Sequence, residues 1–373
     1  MNVMSKDSAV SSPPRVWLIA STFEPRGSSL YTLRLASHLS ALGWEVQIIC
    51  ENDEYLPPRL KTAWPIHAIP RLRSPLLGAG PLLRLAQRTA HPPDIIHSQT
   101  LGIERIGDLL AEEFDRPHLL TAHHLPEEVG TLDVTPEDLS AIIAVSPSIE
   151  QGLVQRMSVP TELIRMIPSG VEISSHPKIP MPRDKERVPI VGTASVLEPS
   201  KGVMYFLMAA DLILSAGQDV EFVVAGGGPE EEFLRRAARH MDIEQRVTFV
   251  PNVSSFAKII ENYDVFVAPN IAEGVGSIVL EAMSLGKPVV VTRAGGTADF
   301  FEDGEHAMLI EKANHVVLAD KIESLLDFPN KARQLALRGQ GLVRERFTAA
   351  QMGDQTARLY RDVLTITQPA VPS

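Results

Sequence analysis

Short apolar runs rich in β-branched residues alternate along this chain with longer stretches of helical spacing. The first run, RVWLIAST (Arg15–Thr22), predicts a buried strand. A polar loop, FEPRGSS, leads into LYTLRLASHLSALG, where Leu30, Leu33, Leu35, Leu39 and Leu42 recur at helical spacing and Gly43 ends the helix. WEVQIIC then starts another strand. Strand, helix and parallel strand are the opening of a wound α/β sheet. DIIHSQ, HLLTAHH and AIIAVS continue that layout as far as IRMIPSGV.

The pattern then breaks. Ser174–Pro189, SSHPKIPMPRDKERVP, is polar, carries four prolines and has neither period, so it reads as a linker. Beyond it the alternation restarts with IVGTAS, VMYFLMAADLILSAG, EFVVAG, EEEFLRRAARHM and RVTFV. FAKIIENY, VFVAP, a further helix and PVVVT complete a second sheet. The expected architecture is α/β: two doubly wound Rossmann-like domains, residues 15–173 and 190–347, facing each other across a cleft. Residues 1–14 form a tail, and the helix in 348–373 crosses back toward the first domain. Ligands of open α/β sheets sit outside the carboxyl ends of the strands, which places the site in the cleft.

Composition narrows the class. The chain has 373 residues, 44% of them hydrophobic, enough for two cores, and a net charge of -11 that argues against a nucleic-acid partner. Cys50 is its one cysteine, so no internal disulfide forms and a reducing compartment is expected. Residues 1–14 lack a signal-peptide core, and no apolar run approaches the ~18 residues of a membrane span, which suggests a cytoplasmic protein. One stretch inverts the charge. Between Tyr55 and Pro93 there is no acid, yet Arg59, Lys61, Arg71, Arg73, Arg84 and Arg88 fall there. That stripe is either a solvated basic face or a contact for an anionic acceptor or for acidic lipid at the inner face of the membrane.

Three loops of the second half point at the cleft. In SVLEPSKGV, Lys201 stands beside Gly202 at a helix start, a good place for phosphate. In AGGGPEEEF, three glycines make either a turn or a close backbone contact with a ligand. In AEGVGSIVLEAMSLGKPVVV, Gly274 and Gly276 permit close approach, Ser277 is placed to cap a helix, and the amides of Val275, Gly276 and Ser277 form an anion site. Glu273 precedes that helix, and Glu281 lies on it among apolar residues. A carboxylate in such a setting needs a partner, and a sugar or ribose diol supplies hydroxyls for it. A metal site built from His123, His124 and Glu127 is rejected on spacing; no metal and no cofactor are expected.

The order of IPSGVE, SKG, AGGGPE, RVTFVPNV, VFVAPNIAEGVG and RAGGTADFFEDGEHAMLI, together with the paired glutamates of EGVGSIVLEAMSLGKPVV, resembles the retaining glycosyltransferases of family four, which have the GT-B fold. The resemblance implies transfer of a sugar from a nucleotide-diphosphate sugar to an acceptor hydroxyl on a glycan, glycolipid or small molecule, without metal. It implies that Glu281 binds the donor ribose and that Glu273 lies by the donor sugar and diphosphate. Lys201 and the amides of Val275 to Ser277 would neutralise the diphosphate, and the loop Val250–Val253 would hold the base. His123 would lie near the reacting sugar, and Gly27 near the diphosphate and acceptor. Three positions depart from the family pattern. Ser28 stands for a second glycine, Ser195 for an arginine, and Ala298-Asp299 for Pro-Glu. Arg26 or Arg293 would have to replace the missing cation. The departures leave a non-catalytic sugar-nucleotide-binding protein as an alternative, and the two-domain cleft leaves a sugar-nucleotide epimerase.

Overall fold

A computed structural model describes residues 12–23, 27–54, 56, 58–74, 77–125, 132–177, 179, 187–251, 253, 255–271 and 276–367. The first sheet comprises β1 (Arg15–Ile19), β2 (Glu45–Cys50), β3 (Ile66–Ala68), β4 (Ile95–Ser98), β5 (His118–Ala122), β6 (Ala141–Ala144) and β7 (Ile164–Met166). Its helices are α1 (Gly27–Ala41), α2 (Pro58–Lys61), α3 (Ala79–Arg88), α4 (Glu104–Phe114) and α5 (Pro147–Met157). The strand order is β3-β2-β1-β4-β5-β6-β7, and every pairing is parallel. β4, β5 and β6 are buried along their whole length, as strands covered by helices on both faces must be.

The second sheet comprises β8 (Ile190–Ala194), β9 (Glu221–Ala225), β10 (Val247–Val250), β11 (Val265–Ala268), β12 (Val289–Thr292) and β13 (Met308–Ile310), in the order β10-β9-β8-β11-β12-β13. Around it lie α6 (Val203–Ser215), α7 (Glu231–His240), α8 (Phe256–Ile260), α9 (Ser277–Ser284), α10 (Gly296–Phe300), α11 (His315–Asp327) and α12 (Pro329–Arg346). Strand order reverses between β1 and β4 in one sheet and between β8 and β11 in the other. These two switch points are where open sheets leave room for a ligand.

The last helix, α13 (Ala349–Thr367), joins the core of the first domain through Met352, Ala357, Leu359, Tyr360 and Val363. A buried polar chain fastens it there. The Tyr360 hydroxyl lies 2.6 Å from His97 Nδ1, and His97 Nε2 lies 2.8 Å from Thr121 Oγ1, both on strands of the first sheet. Burial, reinforced by the nearby His118 and His123, holds His97 down to about 3, so its ring is neutral and both ring nitrogens are engaged. Tyr360→Phe removes one partner from a wholly buried ring. The expected loss is about 1–3 kcal/mol of stability in urea unfolding, against a few tenths for a tyrosine whose hydroxyl is in water.

Candidate active site

The two domains enclose a cleft of ≈ 220 Å³. From the first domain it is walled by Gly27, Ser28 and Leu30 at the start of α1, and by His123, His124 and Val145 after β5 and β6. Ser169 closes one side. From the second domain come Thr193 and Ala194 at the end of β8, Ser195 and Val196 just after it, Glu198 and Lys201, then Phe256, Asn270, Gly276, Ser277 and Ile278. The site therefore draws on loops at the carboxyl ends of strands in both sheets.

Two helix N-termini meet at this cleft. A Cβ added at Gly27, the first residue of α1, would lie 2.9 Å from Ser277 Oγ, at the first turn of α9. Neither helix carries an acidic residue in its first turn. Their free amides and dipoles leave a positive potential that no carboxylate of their own first turns neutralises. Ser277 was expected to cap α9, but Gly276 is the cap and no side chain bonds the first amides. Among the described residues no cap side chain competes with a ligand for the backbone N–H groups of α9.

Lys201 supplies the charge. It is the one lysine or arginine among the described residues lining the cleft, and its side chain is only 15% exposed. Glu198 Oε1 lies 3.7 Å from Lys201 Nζ, one turn away, and steers the ammonium. Gly202 follows with φ +64°, and a Cβ on it would stand 2.1 Å from the Pro269 carbonyl oxygen. The loop after β8 can thus pack against the loop after β11 only with glycine at that position. The same economy explains AGGGPE. A Cβ at Gly226 would stand 1.9 Å from the Ser195 carbonyl oxygen, and one at Gly228 2.4 Å from that of Leu197. Gly226 and Gly228 are used to bring two loops of the protein together, a third role beside the two considered from the sequence.

His123 sits at the end of β5 with the ring edge of Tyr31 against it, centroids 4.6 Å apart. Burial pushes it down to about 3, helped by His124 and opposed by a hydrogen bond that the ring donates to the Gln99 backbone carbonyl, so it is a neutral imidazole. Its Nε2 is covered and has no partner among the described residues, and the same holds for Ser195 Oγ. Two unsatisfied buried polar atoms on the walls of one cleft are uncommon and call for a bound polar group.

The remaining sequence candidates are distributed as follows. Glu273, Val275, Arg26 and Glu127 lie outside the described residues. Val250 ends β10 and Val253 packs partly buried on the core of the second domain; neither lines the cleft, although Phe256 does. Arg293 is 45% exposed and faces Glu311 at 3.6 Å, away from the lining. Asp299, one of the departures, accepts a hydrogen bond from the Ser148 amide at the start of α5, 2.9 Å across the domain boundary. Glu281 is paired with Arg34 of α1. Sequence reasoning missed Arg34, because nothing local links residues so far apart.

No group of three or more histidines, cysteines or acids suited to a metal occurs among the described residues. No helix among them is long and apolar enough to cross a membrane. In the basic stretch, Leu82 and Ala86 turn the apolar face of α3 into the core of the first domain. Lys61 is paired with Asp53 at 2.9 Å, while Arg71, Arg73, Arg84 and Arg88 are exposed. Arg73 lies beside the loop after β4, its guanidinium 3.3 Å from the Cβ position of Gly102, at the cleft-facing end of the sheet.

Two wound domains that share a basic, amide-lined cleft define a GT-B glycosyltransferase. The family profile described as Glycosyltransferase Family 4 matches residues 25–175, and that described as Glycosyl transferases group 1 matches 177–341. The chain belongs to glycosyltransferase family four. It is 25% identical to the alpha-maltose-1-phosphate synthase of Mycolicibacterium smegmatis, over 87% of this chain and 94% of that protein. It is 28% identical to the alpha-D-kanosaminyltransferase of Streptomyces kanamyceticus, over 47% of this chain and 46% of that one. Among solved structures it superposes on the Anabaena HepE complex with UDP-glucose with a TM-score of 0.76 and 19% identity, covering 93% of this chain and 99% of the other. That likeness establishes the fold.

Proposed function

We propose that the protein is a retaining glycosyltransferase that takes a nucleotide-diphosphate sugar and works without a metal. The observation that carries this reading is the convergence of Lys201 with the N-termini of α1 and α9 on one cleft, beside two unsatisfied polar atoms. A diphosphate meets the lysine and the free amides; a sugar hydroxyl meets His123 Nε2. The chemistry is departure of the nucleoside diphosphate while the acceptor hydroxyl arrives on the same face of the sugar. The leaving phosphate takes the acceptor's proton, so no protein nucleophile is required. His123 is a hydrogen-bonding group at working pH, since its ring is neutral well below 6.5. Glu281 is assigned to the donor ribose, and Glu273 to the sugar and diphosphate. Positioning and stabilisation of developing charge are then the protein's whole contribution.

The acceptor is proposed to be anionic. Arg71 and Arg73 are exposed on the segment after β3, and Arg73 reaches the loop after β4, so both belong to the carboxyl edge of the first sheet. The synthase relative named above makes a sugar phosphate, which fits the same expectation. With Leu82 and Ala86 packed into the core, α3 favours this use of the arginines over lipid contact.

The test is calorimetric titration with UDP-, GDP- and ADP-sugars, with Glu281→Ala alongside. Micromolar binding of one donor, weakened tenfold or more in the variant, is the expected result. Binding by a protein that neither transfers nor hydrolyses the donor would favour the non-catalytic alternative. Conversion of the donor with no acceptor present would favour the epimerase.

A further inference from the structure

Arg34 is an interior residue of α1, in the first domain. Its Nη2 donates to Glu281 Oε1 on α9, in the second domain, and its Nη1 donates to the Gly170 carbonyl oxygen at 3.3 Å. The two side chains are 13% and 12% exposed. α9 is otherwise an apolar helix, with Val279, Leu280, Ala282 and Met283 buried around the carboxylate. Glu281 Oε2 accepts no hydrogen bond among the described residues. The pair is thus one-sided: a single oxygen is held, and the other is left over.

An ion pair this poor in solvent is weak support for stability, because desolvation of both groups offsets most of the attraction. A half-used carboxylate fits a different purpose. Held by Oε1, it has one orientation. Its remaining oxygen can then accept from hydroxyls, and an ionised acceptor makes the stronger hydrogen bond.

Resting on the assignment of Glu281 to the donor ribose, we propose that Arg34 is a positioning residue for donor recognition. It holds Glu281 oriented from the opposite domain, so the ribose grip is complete only when the domains are together. Ribose recognition and closure of the cleft become one event. A donor that makes the grip therefore favours the closed arrangement in which the acceptor domain also faces the sugar.

The readout is the affinity ratio between a nucleoside diphosphate and its 2′,3′-dideoxy analogue, taken for whichever of UDP, GDP and ADP binds. This ratio reports the ribose hydroxyls and is blind to general loss of fold or of phosphate affinity. In the unaltered protein the ratio is expected to be about tenfold or more. Glu281→Gln should reduce it to within about threefold. Arg34→Ala should do the same while leaving the dideoxy affinity nearly unchanged, and Arg34→Lys should restore part of the ratio. Arg34→Met, which keeps the apolar stem, serves if the alanine variant does not fold. A ratio preserved in Arg34→Ala or Arg34→Met makes Arg34 a strut and overturns the proposal. Tighter binding of the parent diphosphate in those variants makes Arg34 a competitor for Glu281 and overturns it too. A ratio preserved in Glu281→Gln removes the ribose assignment itself, as does failure of all three diphosphates to bind.

Discussion

Lys201→Ala is expected to lower kcat about a hundredfold or more, with a much smaller rise in donor KM. The physical ground is the timing of charge. In the bound donor the glycosidic oxygen is an uncharged ester oxygen; as its bond to the sugar breaks, a further negative charge develops on the leaving phosphate. A cation fixed beside the developing charge in a cleft of low dielectric acts mainly on the transition state, and deleting one such group costs about 2.7–4 kcal/mol in well-studied sites. In this protein the effect should lie at the upper end. Ser195 stands where the family has an arginine; of the two candidate replacements, Arg293 faces Glu311 at 3.6 Å away from the cleft, and Arg26 lies outside the described residues. Among the described lining residues Lys201 is therefore alone in carrying positive charge, supported by the amides of α1 and α9. Steady-state kinetics with the donor found by titration would decide it. A fall in kcat below about tenfold would mean that the leaving group is stabilised by the helix termini without the lysine. Lys201→Arg, which keeps the charge, should recover much of the loss.

How far the sequence discloses this architecture depends on the range over which each feature is encoded. β1, β8 and β11 are buried apolar runs bounded by polar loops, and each is readable from a few consecutive residues. So is the helix of Glu281, whose apolar character announces burial. β3, by contrast, is three residues long, IHA, with no period that could be recognised. Its strand conformation comes from pairing with β2, from Ile48 opposite Ile66 to Cys50 opposite Ala68, an interaction with no local signature. The site divides in the same way. Lys201-Gly202 is a local motif, and the close approach of Gly202 to Pro269 is the reason for its glycine. The partner of Glu281 is not local at all. The apolar helix raises the question of what its carboxylate holds, and a bound diol was the answer available from the sequence alone. Arg34 lies 247 residues away, on a helix whose spacing gives no hint that it meets α9. Two domain faces must be brought together before that contact exists. Capping failed for a smaller reason. Serine favours the cap position, but here Gly276 takes it and Ser277 becomes the first helical residue. A shift of one residue is enough to turn a hydroxyl from the helix toward the cleft.

The first domain should lose much of its stability in mild acid. Besides His67, lowered by partial burial, three of its histidines are held well below the ordinary value of 6.5, each chiefly by burial: His97 and His123 to about 3, His118 to about 4. In the unfolded chain each takes up a proton near pH 6.5, while in the folded domain none does until the pH has fallen by more than two units. The unfolded state therefore binds more protons throughout that window, and stability must fall as pH falls from 6.5 toward 3. At pH 5 the penalty is about 2 kcal/mol for each wholly buried ring, so about 4 kcal/mol for His97 and His118 together. His123, partly open to the cleft, adds less than a full share. Against the usual 5–15 kcal/mol of a folded domain that is a large fraction. The chain contains three tryptophans, Trp17, Trp44 and Trp64, all in the first domain, so their fluorescence reports its unfolding separately from the second. Urea titrations at pH 7 and pH 5 should differ by about 4 kcal/mol or more in that signal, and His118→Gln should shrink the difference by about 2 kcal/mol. A difference under about 1 kcal/mol would mean that the rings become charged without unfolding the domain, and that water reaches them. Such access would bear on catalysis as well. The same burial that makes His97 and His118 acid-sensitive keeps His123 neutral beside the cleft. A His123 that took up protons near pH 6 would repel Lys201's share of positive charge and give the transfer rate an ionisation that the dry site forbids.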